Sequence, residues 1–173
     1  MITDLTPLKQ SELFGALCAD DLSMVAPLCS TFSVFQEGIL FSEGRTASHL
    51  YLVTDGQIAL QKAVRVPHGR RSRRTSLALC APGEVVGWPA LLEPYKHTVL
   101  ATAWDSSRLI RVDARPMRDA MESHPETGYK IMAALSDTVS RRLADLADTV
   151  ANERERSVFG GDEQPTGPPA DLV

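Results

Sequence analysis

The chain has 173 residues, enough for one domain with a substantial core, and its 43% apolar and 23% charged residues are those of a globular chain. A net charge of -4 argues against general nucleic-acid binding, which needs a basic surface. There is no run of about 18 apolar residues to span a membrane, and MITDLTPLKQ lacks the charged-then-apolar order of a secretory signal; no nucleic acid, no membrane and the cytoplasm are the expectations.

Taken in chain order, Ser11 is placed to cap a short helix through Leu17. Asp20 or Asp21 is placed to cap a second, with Leu22, Val25 and Leu28 on one face. From Thr31 the apolar period changes to two. TFSVF, GILF, HLYLVT, QIALQKAV, TSLALC, HTVLATA and RLIRVD are short β-rich runs, punctuated by Gly38, Gly44, Gly56, Gly69, Gly83 and Gly87. Asp55-Gly56 between HLYLV and QIAL reads as a two-residue hairpin turn. About eight strands at this spacing predict an antiparallel barrel or jelly roll. After Val112 the period is helical again. DARPMRDAMESH predicts a short helix ended by the His124-Pro125 step, and residues 127 to about 154 predict one long helix. On it Met132, Leu135, Val139, Leu143, Leu146 and Val150 fall at steps of three and four. So narrow a stripe suits pairing with a second copy better than covering a barrel, which places a homodimer interface at Leu135, Val139, Leu143, Leu146 and Val150. The tail GGDEQPTGPPADLV is rich in Gly, Pro and acid and reads as disordered.

Cys18, Cys29 and Cys80 stand outside any CxxC and are expected as buried structural thiols. His49, His68 and His124 are scattered, so no metal site is expected. Arg70, Arg71, Arg73 and Arg74 in VPHGRRSRRTS read as a charged hairpin tip, or as a docking patch for an acidic partner. No serine elbow, paired loop carboxylates, HExxH or P-loop occurs, and the expectation is a non-enzyme.

In their order and spacing, FSEGRTASHLYLVTDGQIAL (41–60), PGEVVG (82–87) and SRRLADLA (140–147) resemble the cyclic-nucleotide-binding domain of the catabolite-activator and FNR-like regulators, over about residues 10 to 153. The resemblance implies a mainly β fold with flanking α: a double-stranded β-helix (jelly-roll) barrel followed by a long C-terminal dimerisation helix. It divides the chain into N-terminal helices (1–30), a barrel (31–112), a hinge and long helix (113–155) and the tail (156–173). It also implies a phosphate-binding cassette at 82–98, in which a short helix N-terminus and an arginine hold a phosphate and a glutamate accepts from the ribose.

Carried over residue by residue, Gly87 keeps the close backbone approach, and Trp88 stands at the glutamate position, as a plug or as a stacking surface. Pro89 suits the first helical position. The Ala90 N–H and the Thr98 N–H or hydroxyl face the phosphate. His97, beside Lys96, stands at the arginine position, as a partial cation or a local hydrogen-bonding group. Alignment on Arg141-Arg142-Leu143 adds Arg142 to the ligand contacts and puts Leu146-Ala147 where the catabolite activator has an adenine-binding Thr and Ser. The implied protein is a dimeric sensor with no cofactor, binding a small anionic ligand, or cyclic nucleotides only weakly. Its hinge lies near Asp113 to Met117. Its output goes to a partner protein, because about twenty polar residues after the long helix are too few for a helix-turn-helix domain. The alternatives are a ligand-free docking protein on the same fold and the sensor half of a transcription regulator.

Overall fold

The computed structural model describes residues 2–64 and 73–159. His68, Gly69, Arg70 and Arg71 of the basic loop and the tail beyond Phe159 lie outside the described residues. The chain forms two compact units, Met1–Thr138 and Val139–Val173, each described by itself.

The first unit opens with helices α1 (Thr6–Lys9) and α2 (Ala19–Val25) and a 3-10 turn, Ala26–Leu28. Strands β1 (Cys29–Val34), β2 (Ile39–Phe41), β3 (His49–Asp55), β4 (Ile58–Val64), β5 (Arg73–Cys80), β6 (Val85–Val86), β7 (Leu100–Ala103) and β8 (Ser107–Asp113) follow, with a second 3-10 turn at Trp88–Leu91. Helices α3 (Ala114–Ser123) and α4 (Pro125–Phe159) close the sequence of elements. The strands form two antiparallel four-stranded sheets, β1-β8-β3-β6 and β2-β7-β4-β5, the mainly β jelly roll that the change of period predicts.

Between the sheets pack Phe32, Tyr51, Val53 and Leu109 from the first and Phe41, Ile58, Leu60, Cys80, Ala101 and Ala103 from the second. Leu50, Leu52, Ile110 and Val112 point the other way on the first sheet and are buried as well. A strand covered on both faces reads as an unbroken apolar run, which is why Leu50-Tyr51-Leu52-Val53 does not alternate.

Several expectations are corrected. Residues 11–17 form turns instead of a helix, because the Ser11 hydroxyl donates to the Leu8 carbonyl at 2.7 Å and accepts from the Phe14 N–H at 3.0 Å, closing one local turn. Asp21 does not cap α2 but sits inside its first turn, accepting the Cys18 N–H at 3.2 Å. It also takes Lys130 Nζ at 2.8 Å and the Thr127 hydroxyl, both from the start of α4. Lys130 first, then Thr127, hold its carboxyl well below the usual carboxylate range. Cys29 and Cys80 are buried, but Cys18 is exposed. Helix α4 begins at Pro125, two residues before the expected start, since proline at the first helical position gives up no hydrogen bond.

Asp55-Gly56 is no hairpin. β3 and β4 belong to different sheets, and the turn carries the chain from one to the other. Gly56 has φ +77°, and a Cβ there would lie 2.4 Å from Ser107 Oγ and 2.8 Å from Asp105 Oδ1. The Gln57 N–H donates to that Asp105 carboxylate at 2.6 Å. The glycine thus answers to a corner between sheets, where the chain turns against the β7–β8 loop. Gly56→Ala is expected to lower unfolding stability by about 2 kcal/mol, from the left-handed backbone and the clash together. Urea denaturation measures this, and a wild-type midpoint would show that the corner relaxes freely.

Candidate functional site

The segment 82–98 leaves the first sheet through β6, whose Val85 and Val86 pair with Leu52 and Tyr51. At Gly87 the backbone turns left-handed, φ +81°, and packs on β3 so closely that a Cβ would lie 3.0 Å from the His49 carbonyl and 3.4 Å from the Phe41 ring. Only glycine gives both the angle and the clearance. Trp88, half-buried, then opens the 3-10 turn. Ala90 is fully buried against Ala47 and Ala114, and its N–H donates to the Gly87 carbonyl at 3.0 Å. That N–H is committed within the turn, which removes Ala90 from the expected anion donors.

The return of the segment is laced to the β2–β3 connection. The Ala47 N–H donates to Tyr95, the His97 N–H to Arg45 and the Gly44 N–H to His97, at 2.7, 2.9 and 2.8 Å. This lacing buries the His97 side chain to 5% exposure. Its ring stacks on Phe41 at 3.8 Å between centroids and 8° between planes. Phe41 in turn stacks on Tyr51 at 6.2 Å, and Tyr51 meets Phe32 at 5.8 Å. Burial lowers the His97 pKa below the ordinary histidine value. The residue expected as a partial cation or a local hydrogen-bonding group is therefore a neutral member of an aromatic wall, and its Nδ1 finds no hydrogen-bond partner.

Thr98 is exposed. Its carbonyl accepts from Lys62 Nζ at 2.7 Å, and the same ammonium pairs with Glu43 at 2.6 Å. Lys62 comes from β4, brought there by strand order, and nothing in the local sequence announces it. A second residue beyond the reach of motif reading is Arg118 of α3. Its Nη1 donates to the Ala90 carbonyl at 2.5 Å, and its guanidinium lies 4.2 Å from the Tyr95 ring centroid. The corner before α3 is pinned as well: His49 Nε2 lies 3.0 Å from the Asp113 carboxylate, and the Ala114 N–H donates to the Ser48 carbonyl at 3.0 Å.

The structure thus brings Gly87, Trp88, Ala90, His97 and Thr98 into one segment and adds Lys62 and Arg118 to it. Leu135 belongs to the first unit and is 3% exposed. Its side chain is spent inside the protomer, which removes it from the expected interface stripe. Arg142, Val139, Leu143, Leu146 and Val150 belong to the second unit. There Leu143 and Val150 are 67% and 49% exposed and line a shallow groove with Leu146, Ala147 and Ala151.

The model of the cyclic nucleotide-binding domain matches residues 33–124, more than half of the chain. The chain belongs to that family. No curated protein matches it. Among solved structures it resembles a protein of Geobacter metallireducens GS-15 described as cyclic nucleotide-binding, at 22% identity and a TM-score of 0.72 over 83% of this chain and 99% of that one. It also resembles the N-terminal domain of a Streptomyces coelicolor A3(2) transcriptional regulator, at 25% identity and a TM-score of 0.63 over 83% and 94%. The c-di-GMP-responsive global regulator of Xanthomonas campestris shares the fold at 16% identity and a TM-score of 0.65, over 88% and 76%. No helix among the described residues is long and apolar enough to cross a membrane.

A buried neutral His97 has a consequence for stability. The unfolded chain takes up a proton on this residue near pH 6.5, whereas the folded chain does so only at lower pH. Its contribution is therefore fully present above about pH 6.5 and is lost as pH falls below it. Urea midpoints at pH 7.5 and 5.0 should differ less in His97→Phe than in wild type. An unchanged difference would mean that His97 charges freely in the folded protein.

Proposed function

We propose that the protein is a non-catalytic, dimeric sensor module whose cassette has given up tight cyclic-nucleotide binding in favour of a small anionic ligand. The observation that carries the reading is His97: at the position where the family's cassette presents an arginine, the side chain is buried, stacked on Phe41 and held neutral. Trp88 at the glutamate position offers no acceptor to a ribose, and Leu146-Ala147 offer none to a base. The Xanthomonas regulator, responsive to c-di-GMP, is a precedent for this fold serving a ligand other than a cyclic mononucleotide.

Signal output runs through Arg118. Its bonds to the Ala90 carbonyl and the Tyr95 ring tie the cassette to α3, so a ligand that repositions the cassette draws on α3 and the hinge before it. The partner of the α4 stripe is a second copy meeting it at Leu143, Leu146 and Val150. The likeness to the N-terminal domain of a transcriptional regulator favours a second reading, in which this module is the sensor part of such a protein.

A charge-assisted hydrogen bond contributes about 1.5–3 kcal/mol, and about 1.4 kcal/mol is tenfold in affinity. Without the arginine and the glutamate, cAMP and cGMP are expected to bind about a hundredfold or more weaker than at a complete cassette. Burial of His97 keeps any gain at pH 6 small. Calorimetry at pH 6 and 8 measures this, and a pH-independent dissociation constant of about a micromolar or tighter would overturn the reading of the cassette.

Leu143→Glu places a charge in the proposed seam and should yield monomers. Light scattering of both proteins at tens of micromolar, on the order of ordinary assay concentrations, decides this. A monomeric wild type removes the second copy from the proposal.

A further inference from the structure

Strand alternation on β8 puts Arg111 on the same face as Leu109, toward the interior between the sheets, directly across from Tyr51 on β3 and Ser30 on β1. Arg111 is partly buried there, and a guanidinium drawn toward a core is costly unless its charge and donors are met. Arg111 lies 5.6 Å from the Phe32 ring centroid, which meets the charge on one face. Its Nε is buried and has no hydrogen-bond partner. Asp113, the acid on the same strand face, has its carboxylate against His49 at 3.0 Å. Lys62, the cation beside Thr98, is tied to Glu43.

Arg111 stands at the end of the aromatic wall formed by Phe32, Tyr51, Phe41 and His97. The wall lies at the cassette end of the barrel, since Gly87 packs on the His49 carbonyl and the Phe41 ring. Its other end carries another unpaired buried atom, His97 Nδ1. Buried polar atoms in folded proteins are nearly always paired. Two that are not, at the two ends of one aromatic wall, mark where a ligand's polar atoms belong.

We propose that Arg111 is the anion-binding residue of this barrel and that the ligand is a flat organic monoanion, an aromatic carboxylate in class, lying on the Phe32–Tyr51–Phe41 wall. This rests on the reading of the barrel as a ligand-binding sensor. A planar carboxylate matches the planar guanidinium fork. An aromatic ring matches a wall of rings. A single cation, with Lys62 engaged elsewhere, suits one negative charge. Neutral His97 hydrogen-bonds a hydroxyl at the far edge of the ring. The anion then lies against the β1-β8-β3 sheet instead of in the cassette.

The test uses the full chain, calorimetry and thermal shift, with 4-hydroxybenzoate and benzoate as probes beside acetate, cAMP and cGMP. The two aromatic carboxylates should bind the wild type and raise its melting temperature more than acetate does. Their affinity should stay constant from pH 6 to 8, where carboxylate and guanidinium both keep their charge. It should fall about tenfold or more in Arg111→Gln. No binding by the wild type, equal binding by Arg111→Gln, or an affinity that drops steeply as pH rises, which would assign the anion to His97, each overturns the proposal. The wild-type pH profile decides even if Arg111→Gln fails to fold. If the aromatic carboxylates fail while a nucleotide binds, the proposal falls and the sensor reading stands; if nothing in the panel binds, both fall.

Discussion

At Gly87 the chain leaves strand β6 with φ +81° and lies so close to β3 that a single added carbon would meet the His49 carbonyl at 3.0 Å. Much of the site follows from that contact. It sets the 3-10 turn of Trp88–Leu91 against the first sheet, brings Ala90 into the cluster with Ala47 and Ala114, and seats Phe41 where His97 can stack on it. A larger residue here would push the cassette off the barrel and open the stack, because a close-packed interior has little slack to absorb the displacement. The glycine is thus a condition for the aromatic wall as well as for the turn.

On the proposed reading, the charge that an anion meets lies on a strand instead of in the cassette. A cassette arginine is visible in sequence, since it sits a fixed distance after a glycine pair. Arg111 is visible only after folding. It lies on a strand whose neighbours are set by the sheet order, across from Tyr51 on its antiparallel partner. The 82–98 motif alone therefore presents a loss of charge, whereas the folded barrel also turns Arg111 toward the aromatic wall.

The same distinction explains what was legible beforehand. The change of apolar period at Thr31 and back after Val112 marks the barrel, because burial on a sheet and on a helix leaves different repeats. Gly87 was legible for the same kind of reason, a backbone demand that one residue type meets. His97 was placed in the right segment with the wrong environment: its burial comes from the lacing of residues 95–97 to residues 44–47, a pairing made by tertiary contact and without a local signal. Asp55-Gly56 misled because an Asp-Gly step encodes a tight left-handed turn and not the sheet to which the next strand will go. Leu135 and Leu143 sit on one stripe by spacing, yet one is buried in the first unit and the other exposed in the second; periodicity reports that a side chain wants cover, not what supplies it.

On the proposed reading the protein must also convert occupancy into movement, and Arg118 is placed to carry it. One guanidinium holds a cassette carbonyl with an N–H and a cassette ring with its face, beside the packing of Ala90 on Ala114 at the start of α3. A ligand changes the balance between two arrangements only to the extent that it binds one better than the other. An anion held by Arg111 on β8 touches the strand that runs directly into α3, and the Asp113 carboxylate two residues on is already engaged with His49 at the corner. Ligand contact and helix position then meet on one strand, with the cassette as the second hold on α3. The coupling asked of the ligand is correspondingly modest: two discrete holds on one short helix can be set against each other by an interaction of about 1–3 kcal/mol, the ordinary size of an allosteric term.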